Sequence, residues 1–229
     1  MKHKVCIVLA LLCAISFSSY ATSYYGVVDD DGAGRLSIGV GYQIVHHEYQ
    51  SYKEDIKAIG INVSGISYFG NSPVGLWLDM NCVVPLSIMI DNVAIDQHSY
   101  FMCNGMVGPA FAIRPSQNLS IDLGIGLAVG YYDMPSEKLS WISGWYPGLK
   151  GHYRIVDLGV AGDVAISYEF GKSNVVLSVG CAVAWNFFQS CFYVITDSYG
   201  NEGSSRGATV TDFKYGLDIR PYVGLGWSM

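Results

Sequence analysis

The sequence predicts an all-β chain, and within that class an eight-stranded antiparallel up-and-down transmembrane β-barrel. Three observations carry this. Half of the 229 residues are hydrophobic (51%) yet only 14% are charged, against about 25% in an ordinary soluble domain. No stretch after the N-terminus reaches the ~18 consecutive apolar residues of a helical span, and a bilayer accepts only helices and closed barrels. Apolar residues instead recur with period two, the strand signature. The 27 glycines and 17 tyrosines fit a closely packed β fold with many turns.

The N-terminus reads as an export signal. Lys2 and Lys4 precede the apolar run Val5 to Ile15, and Ser19-Tyr20-Ala21 places small residues where a signal peptidase reads. The run is short of the ~20 residues that span a bilayer, so residues 1–21 are expected to be a cleaved leader and 22–229 the barrel domain. The leader removes two lysines and no acid, which takes the net charge from −6 to −8. A negative mature chain argues against nucleic acid as a partner.

Eight alternating runs follow in order. The first sets Leu36, Ile38, Val40, Tyr42 and Ile44 against Ser37, Gly39, Gly41 and Gln43. The second alternates Ile59, Ile61 and Val63 with Gly60, Asn62 and Ser64. The third runs Val74 to Val84 around Gly75, Trp77, Asp79 and Asn81. The fourth, Phe101 to Ile113, is the weakest. The fifth is the clearest: Leu119, Ile121, Leu123, Ile125, Leu127, Val129 and Tyr131 oppose Ser120, Asp122, Gly124, Gly126, Ala128 and Gly130. The sixth spans Val156 to Phe170, the seventh Val175 to Phe187, and the eighth Phe213 to Met229. Most reach the ~9–11 residues a tilted strand needs to cross a bilayer.

Short connections are expected at 70–73, 115–118 and 171–174, each built from Gly, Pro, Asn or Ser. Long ones are expected at 46–56, 87–99, 133–152 and 189–212. Short turns at one end and long loops at the other suit an outer-membrane barrel with both termini and the short turns in the periplasm. Aromatics form a belt near each end. Tyr42, Phe101, Tyr131, Trp185, Phe187, Phe213 and Tyr215 lie toward the long loops, and Phe111, Tyr168, Phe170 and Trp227 toward the short turns, as two membrane interfaces would select.

The second face is mostly Gly, Ala and Ser with isolated charges, too small for a water-exposed surface and suited to a narrow lumen. Inward charges are expected at Asp79, Asp122, Asp157, Asp163, Asp218, Glu169, Arg114, Lys214 and Arg220. Desolvating a lone charge costs several kcal/mol. A lumen network of Asp79, Asp122, Asp163 and Arg220 is therefore expected, with Arg220 paired to at least one of the three acids.

The chain ends Leu225-Gly226-Trp227-Ser228-Met229. This alternating apolar strand with a near-terminal aromatic resembles the signal by which the barrel assembly machinery recognises its clients, although Met229 stands where Phe or Trp is usual. With its eight runs, the mature chain resembles the small outer-membrane barrels of the protein W and X families, including spirochaetal small barrels. That resemblance implies a bacterial outer-membrane location, outer-membrane lipid and the assembly machinery as partners, and the binding or passage of small, apolar molecules. The alternative is a surface structural or adhesion barrel with a closed, charge-paired lumen and loops that meet a host surface molecule.

Other chemistry is weakly signalled. Adjacent His46 and His47 alternate faces and converge poorly on a metal. His98, Ser99 and His152 lack the spacing of a hydrolase triad. No enzyme activity, cofactor or metal is expected. Cys82 and Cys103 fall near-opposite on neighbouring strands, where cross-strand geometry often disfavours a bond. Trp141, Trp145 and Tyr146 in the third loop, and Phe192 and Tyr193 in the fourth, are the candidate loop contacts.

Overall fold

A computed structural model describes residues 34–69, 72–94, 101–135, 150–171, 173–197, 199, 202–204 and 208–228. The leader, Trp141, Trp145, Tyr146, His98, Ser99 and Met229 lie outside these residues, as does the side chain of His152. Eight long strands run in order: β1 (Gly34–Tyr49), β2 (Lys53–Tyr68), β3 (Val74–Ile90), β4 (Phe101–Ser116), β5 (Leu119–Pro135), β6 (Lys150–Glu169), β7 (Val175–Thr196) and β8 (Phe213–Ser228). Each pairs antiparallel with its sequence neighbours, and β1 pairs with β8, so the sheet closes. Three short pieces, Val93–Ala94, Glu202–Ser204 and Ala208–Thr209, extend β3 and β7 at the long-loop end.

The register sets the barrel's width. Once round from His47, through Gly216, Asn186, Gly159, Ala128, Met106, Asp79 and Ser64, the pairing returns to Ser37, ten residues down β1. Eight strands with this stagger enclose a space that side chains alone can fill.

The two faces separate as the alternation requires. Ile38, Val40, Ile59, Ile61, Leu76, Val107, Leu123, Ile125, Leu127, Val164, Ile166, Val179, Val223 and Leu225 are exposed on the outside. Phe111, Tyr168, Phe170 and Trp227 are exposed near the short turns, and Trp185, Phe187 and Tyr215 near the long loops. An apolar band between aromatic belts is a lipid-facing surface.

Several expected loops are strand instead. β1 and β2 are separated only by residues 50–52 rather than 46–56. β3 runs to Ile90 and turns on Asp91 and Asn92, both at positive φ (49° and 65°), to pair with Val93. Two left-handed residues in a row make the tight hairpin turn that Asn and Asp tolerate. β7 continues to Thr196. Beyond the apolar band the strands carry polar residues such as Lys53, Glu54 and Asp55. Their hydrogen-bonded ladder persists where the hydrophobic alternation stops.

Bulges also reset the faces. The β1–β8 register slips between Glu48, opposite Tyr215, and Tyr49, opposite Phe213, and so skips Lys214. Lys214, expected inward, is exposed, with its Nζ 3.5 Å from Glu48.

Candidate functional site

The lumen is filled in layers. At the short-turn end, Arg35 reaches Asp122 Oδ1 and Ser120 Oγ, both at 2.7 Å, and also donates to Tyr68 Oη. The Tyr68 hydroxyl donates to Asp122 at 2.8 Å. The Arg114 guanidinium lies 4.7 Å from the centre of the Tyr68 ring, close enough for a cation–π contact. Next inward, Tyr222 donates to Asp163 at 3.0 Å.

At mid-depth sits Arg220, with no exposed surface. Its Nη1 is 3.1 Å from Asp79 Oδ1 and its Nε is 3.5 Å from Asp218 Oδ2. Asn62 donates to Asp79 at 2.7 Å and Gln43 to Asp218 at 3.0 Å. The amides of Asn81 and Asn104 converge on Gln43 Oε1 at 3.3 and 3.1 Å. Of the four residues expected to form one network, Arg220 and Asp79 are brought together. Asp122 belongs to Arg35 and Asp163 to Tyr222.

A third layer lies toward the long loops. His47, fully buried, places Nδ1 2.9 Å from Glu54 and Nε2 2.9 Å from Asp157. An imidazolium can donate from both nitrogens at once. Gln189 donates to Asp157 and Tyr49 to Gln189, each at 2.9 Å. Above and between these polar layers, Val45, Ile56, Ala58, Val83, Ile88, Met102 and Tyr132 form an apolar cluster.

Among the described residues, a lumen cavity bordered by Arg35, Trp77, Asp122, Asp163 and Tyr222 has a volume of about 30 Å³. Space on that scale holds only a water or two, about 10–15 Å³ being enough for one. The glycines of the inner face explain the filling. A Cβ on Gly124 would lie 2.7 Å from Trp77, and one on Gly180 2.4 Å from Tyr222. These glycines make room for rings from neighbouring strands.

Sequence reading missed Arg35, Gln43, His47 and Glu54 as members of the lumen network. His47 shares parity with Gln43 on β1, a signal that could have placed it inward. Arg35, two residues before Ser37, shares that parity as well. Of the loop contacts, Phe192 is half-buried, while Tyr193 is exposed and packs 4.8 Å from the ring of Tyr153.

At the rim, Lys53 and Lys214 flank Glu48 at 3.1 and 3.5 Å. The hydrogen bond from Lys53 holds the Glu48 carboxyl below its ordinary range, and the same contact raises Lys53. Among the described residues no group of three His, Cys, Asp or Glu is arranged to hold a metal.

A closed ring of eight strands, apolar outside and filled inside, defines a small membrane-type β-barrel. No protein-family model and no curated protein matches the chain. Solved structures do match in fold. Neisserial surface protein A aligns at 9% identity and a TM-score of 0.53, over 86% of this chain and 97% of that one. The outer membrane protein OprG of Pseudomonas aeruginosa aligns at 8% identity and 0.55, over 86% and 96%. A major outer membrane protein of Thermus thermophilus gives 13% and 0.50, over 84% and 99%. The fold is that of the small outer-membrane barrels.

Proposed function

We propose that this chain is a closed barrel of a bacterial outer membrane that acts through its long-loop end rather than through its lumen. The filled interior carries the reading. Three polar layers and an apolar cluster occupy the axis, and the cavity between Arg35 and Tyr222 is about 30 Å³, far below the ~300–1,000 Å³ of a small-molecule site. This sets the surface or adhesion role ahead of axial passage of a small apolar solute.

The leader-like N-terminus and the aromatic belts support placement in the outer membrane with the long loops outward. Trp227, 56% exposed on the last strand, supports entry through the barrel assembly machinery. The long-loop end offers Tyr193, Ile195 and Tyr199, the last 89% exposed. Exposed aromatics in this position suit contact with a host surface molecule.

Liposome swelling tests the reading. Vesicles carrying the folded protein should swell no faster than empty ones in small sugars, and should take up no more of an apolar dye. Swelling in sugars above the empty-vesicle rate overturns the closed-lumen reading.

A further inference from the structure

Cys82 and Cys103 face one another across the β3–β4 seam. They are direct partners in the ladder, so both side chains leave the sheet on the same, outer face. Their Sγ atoms lie 3.1 Å apart, and no disulfide joins them. A disulfide needs the sulfurs at about 2.05 Å and the Cα atoms within ~4.4–6.8 Å. Opposed residues of an antiparallel pair lie about 4.5–5.5 Å apart at Cα, so a small side-chain rotation closes the bond without moving the backbone.

The position of this pair is specific. Among the described residues the β3–β4 ladder runs only from Val74 opposite Phe111 to Val83 opposite Met102, the shortest of the eight seams. Cys82 and Cys103 form its second rung from the long-loop end. Beyond Val83 the upper part of β3 pairs instead with Val93 and Ala94. Its other edge carries the bulge that opposes Lys57 to Ser87 and Ala58 to Pro85. The barrel wall is held by the fewest rungs here, and Val84 and Leu86 just above are 59% and 61% exposed.

We propose that Cys82 and Cys103 are a redox pair that closes into an interstrand disulfide and locks the long-loop end of the β3–β4 seam. Each thiol gives up one proton, and the pair gives two electrons to a disulfide oxidant, a protein or low-molecular-weight disulfide. One S–S bond forms as the oxidant's breaks and leaves two thiols. An exported chain meets such oxidants. The proposal is independent of the closed lumen, because both sulfurs lie outside it.

The test uses the full chain, exported by its own leader, dissolved from cells directly into denaturant with N-ethylmaleimide and digested without reductant. Peptide mass mapping should find residues 82 and 103 linked, with Cys181 and Cys191 alkylated. Maleimide on both Cys82 and Cys103 overturns the proposal. A second arm does not depend on export. The chain of residues 22–229, which holds four of the six cysteines, folded in detergent micelles and treated with oxidised glutathione should lose two reactive thiols. Its folded form should then survive to a higher temperature, and reductant should reverse this gain. Cys82→Ser, or Cys103→Ala, should abolish the gain. No change in thiol count or in thermal survival overturns the proposal.

Discussion

Arg220 and Asp79 meet at 3.1 Å in the middle of the barrel, and neither side chain has any exposed surface. The ion pair bridges β8 and β3, which are not neighbours in the sheet. It therefore ties separate parts of the wall across the lumen, with Asp218 Oδ2 3.5 Å from Arg220 Nε and Asn62 donating to Asp79.

Removing the cation strands two buried carboxylates. Arg220→Met is expected to destabilise the folded barrel by about 3–5 kcal/mol, read as a lower urea midpoint in micelles. Adding Asp79→Asn to that variant should recover part of the loss, since the two residues share one network. Fully additive losses would place the pair outside the structural network.

His47 and His46 make a paired comparison. His47 is buried between Glu54 and Asp157, whereas His46 sits on the outer face, 28% exposed, 2.7 Å from Asp55. His47→Leu should cost several kcal/mol, as a broken buried network does. His46→Leu should cost no more than about 1 kcal/mol, the range of surface pairs. Equal losses in urea titrations of the two variants would contradict the placement of His47.

Two glycines test the packing of the lumen. A Cβ at Gly180 would meet Tyr222 at 2.4 Å, while one at Gly105, on the outer face, meets nothing within 4 Å. Gly180→Val should cost roughly 1–3 kcal/mol by overpacking. Gly105→Val should be near neutral, within about 0.5 kcal/mol. Thermal loss of the folded band on a gel separates the two variants.

How far the sequence showed this follows from where apolar alternation survives. Leu119 to Tyr131 showed strand, face and depth at once, because lipid demands an apolar residue at every second position. Lys53 to Lys57 and Phe188 to Thr196 are strands too, but outside the apolar band the ladder no longer constrains side-chain polarity. Lys214 was assigned to the wrong face because a bulge breaks parity without leaving a mark in composition. Arg220 was legible as a buried charge. Asp218, two residues away on the same strand and face, was legible as inward too, but the choice of Asp79 for Arg220 and the pairing of Asp122 with Arg35 depend on register between distant strands, which a single strand's pattern does not contain.

The rim should respond to acid. The folded Glu48 carboxyl is held below its ordinary value, first by its hydrogen bond from Lys53. Its contribution is therefore present above the unfolded value and is lost as pH falls through the lowered folded one. In an NMR titration, Lys53→Gln with Lys214→Gln should move the Glu48 midpoint up toward that of a free glutamate. An unmoved midpoint would show that the lysines do not set it.

The closed lumen is tested most directly by single-channel recording in planar bilayers. Wild-type protein, shown to be folded by its heat-modifiable mobility, should give no steps above baseline at either polarity. Arg220→Ala opens only the middle layer, and with the layers of Arg35 and His47 still in place it should give no steps either. Steady, reproducible conductance from the folded wild-type protein would contradict a barrel whose axis is filled by Arg220 and its carboxylates.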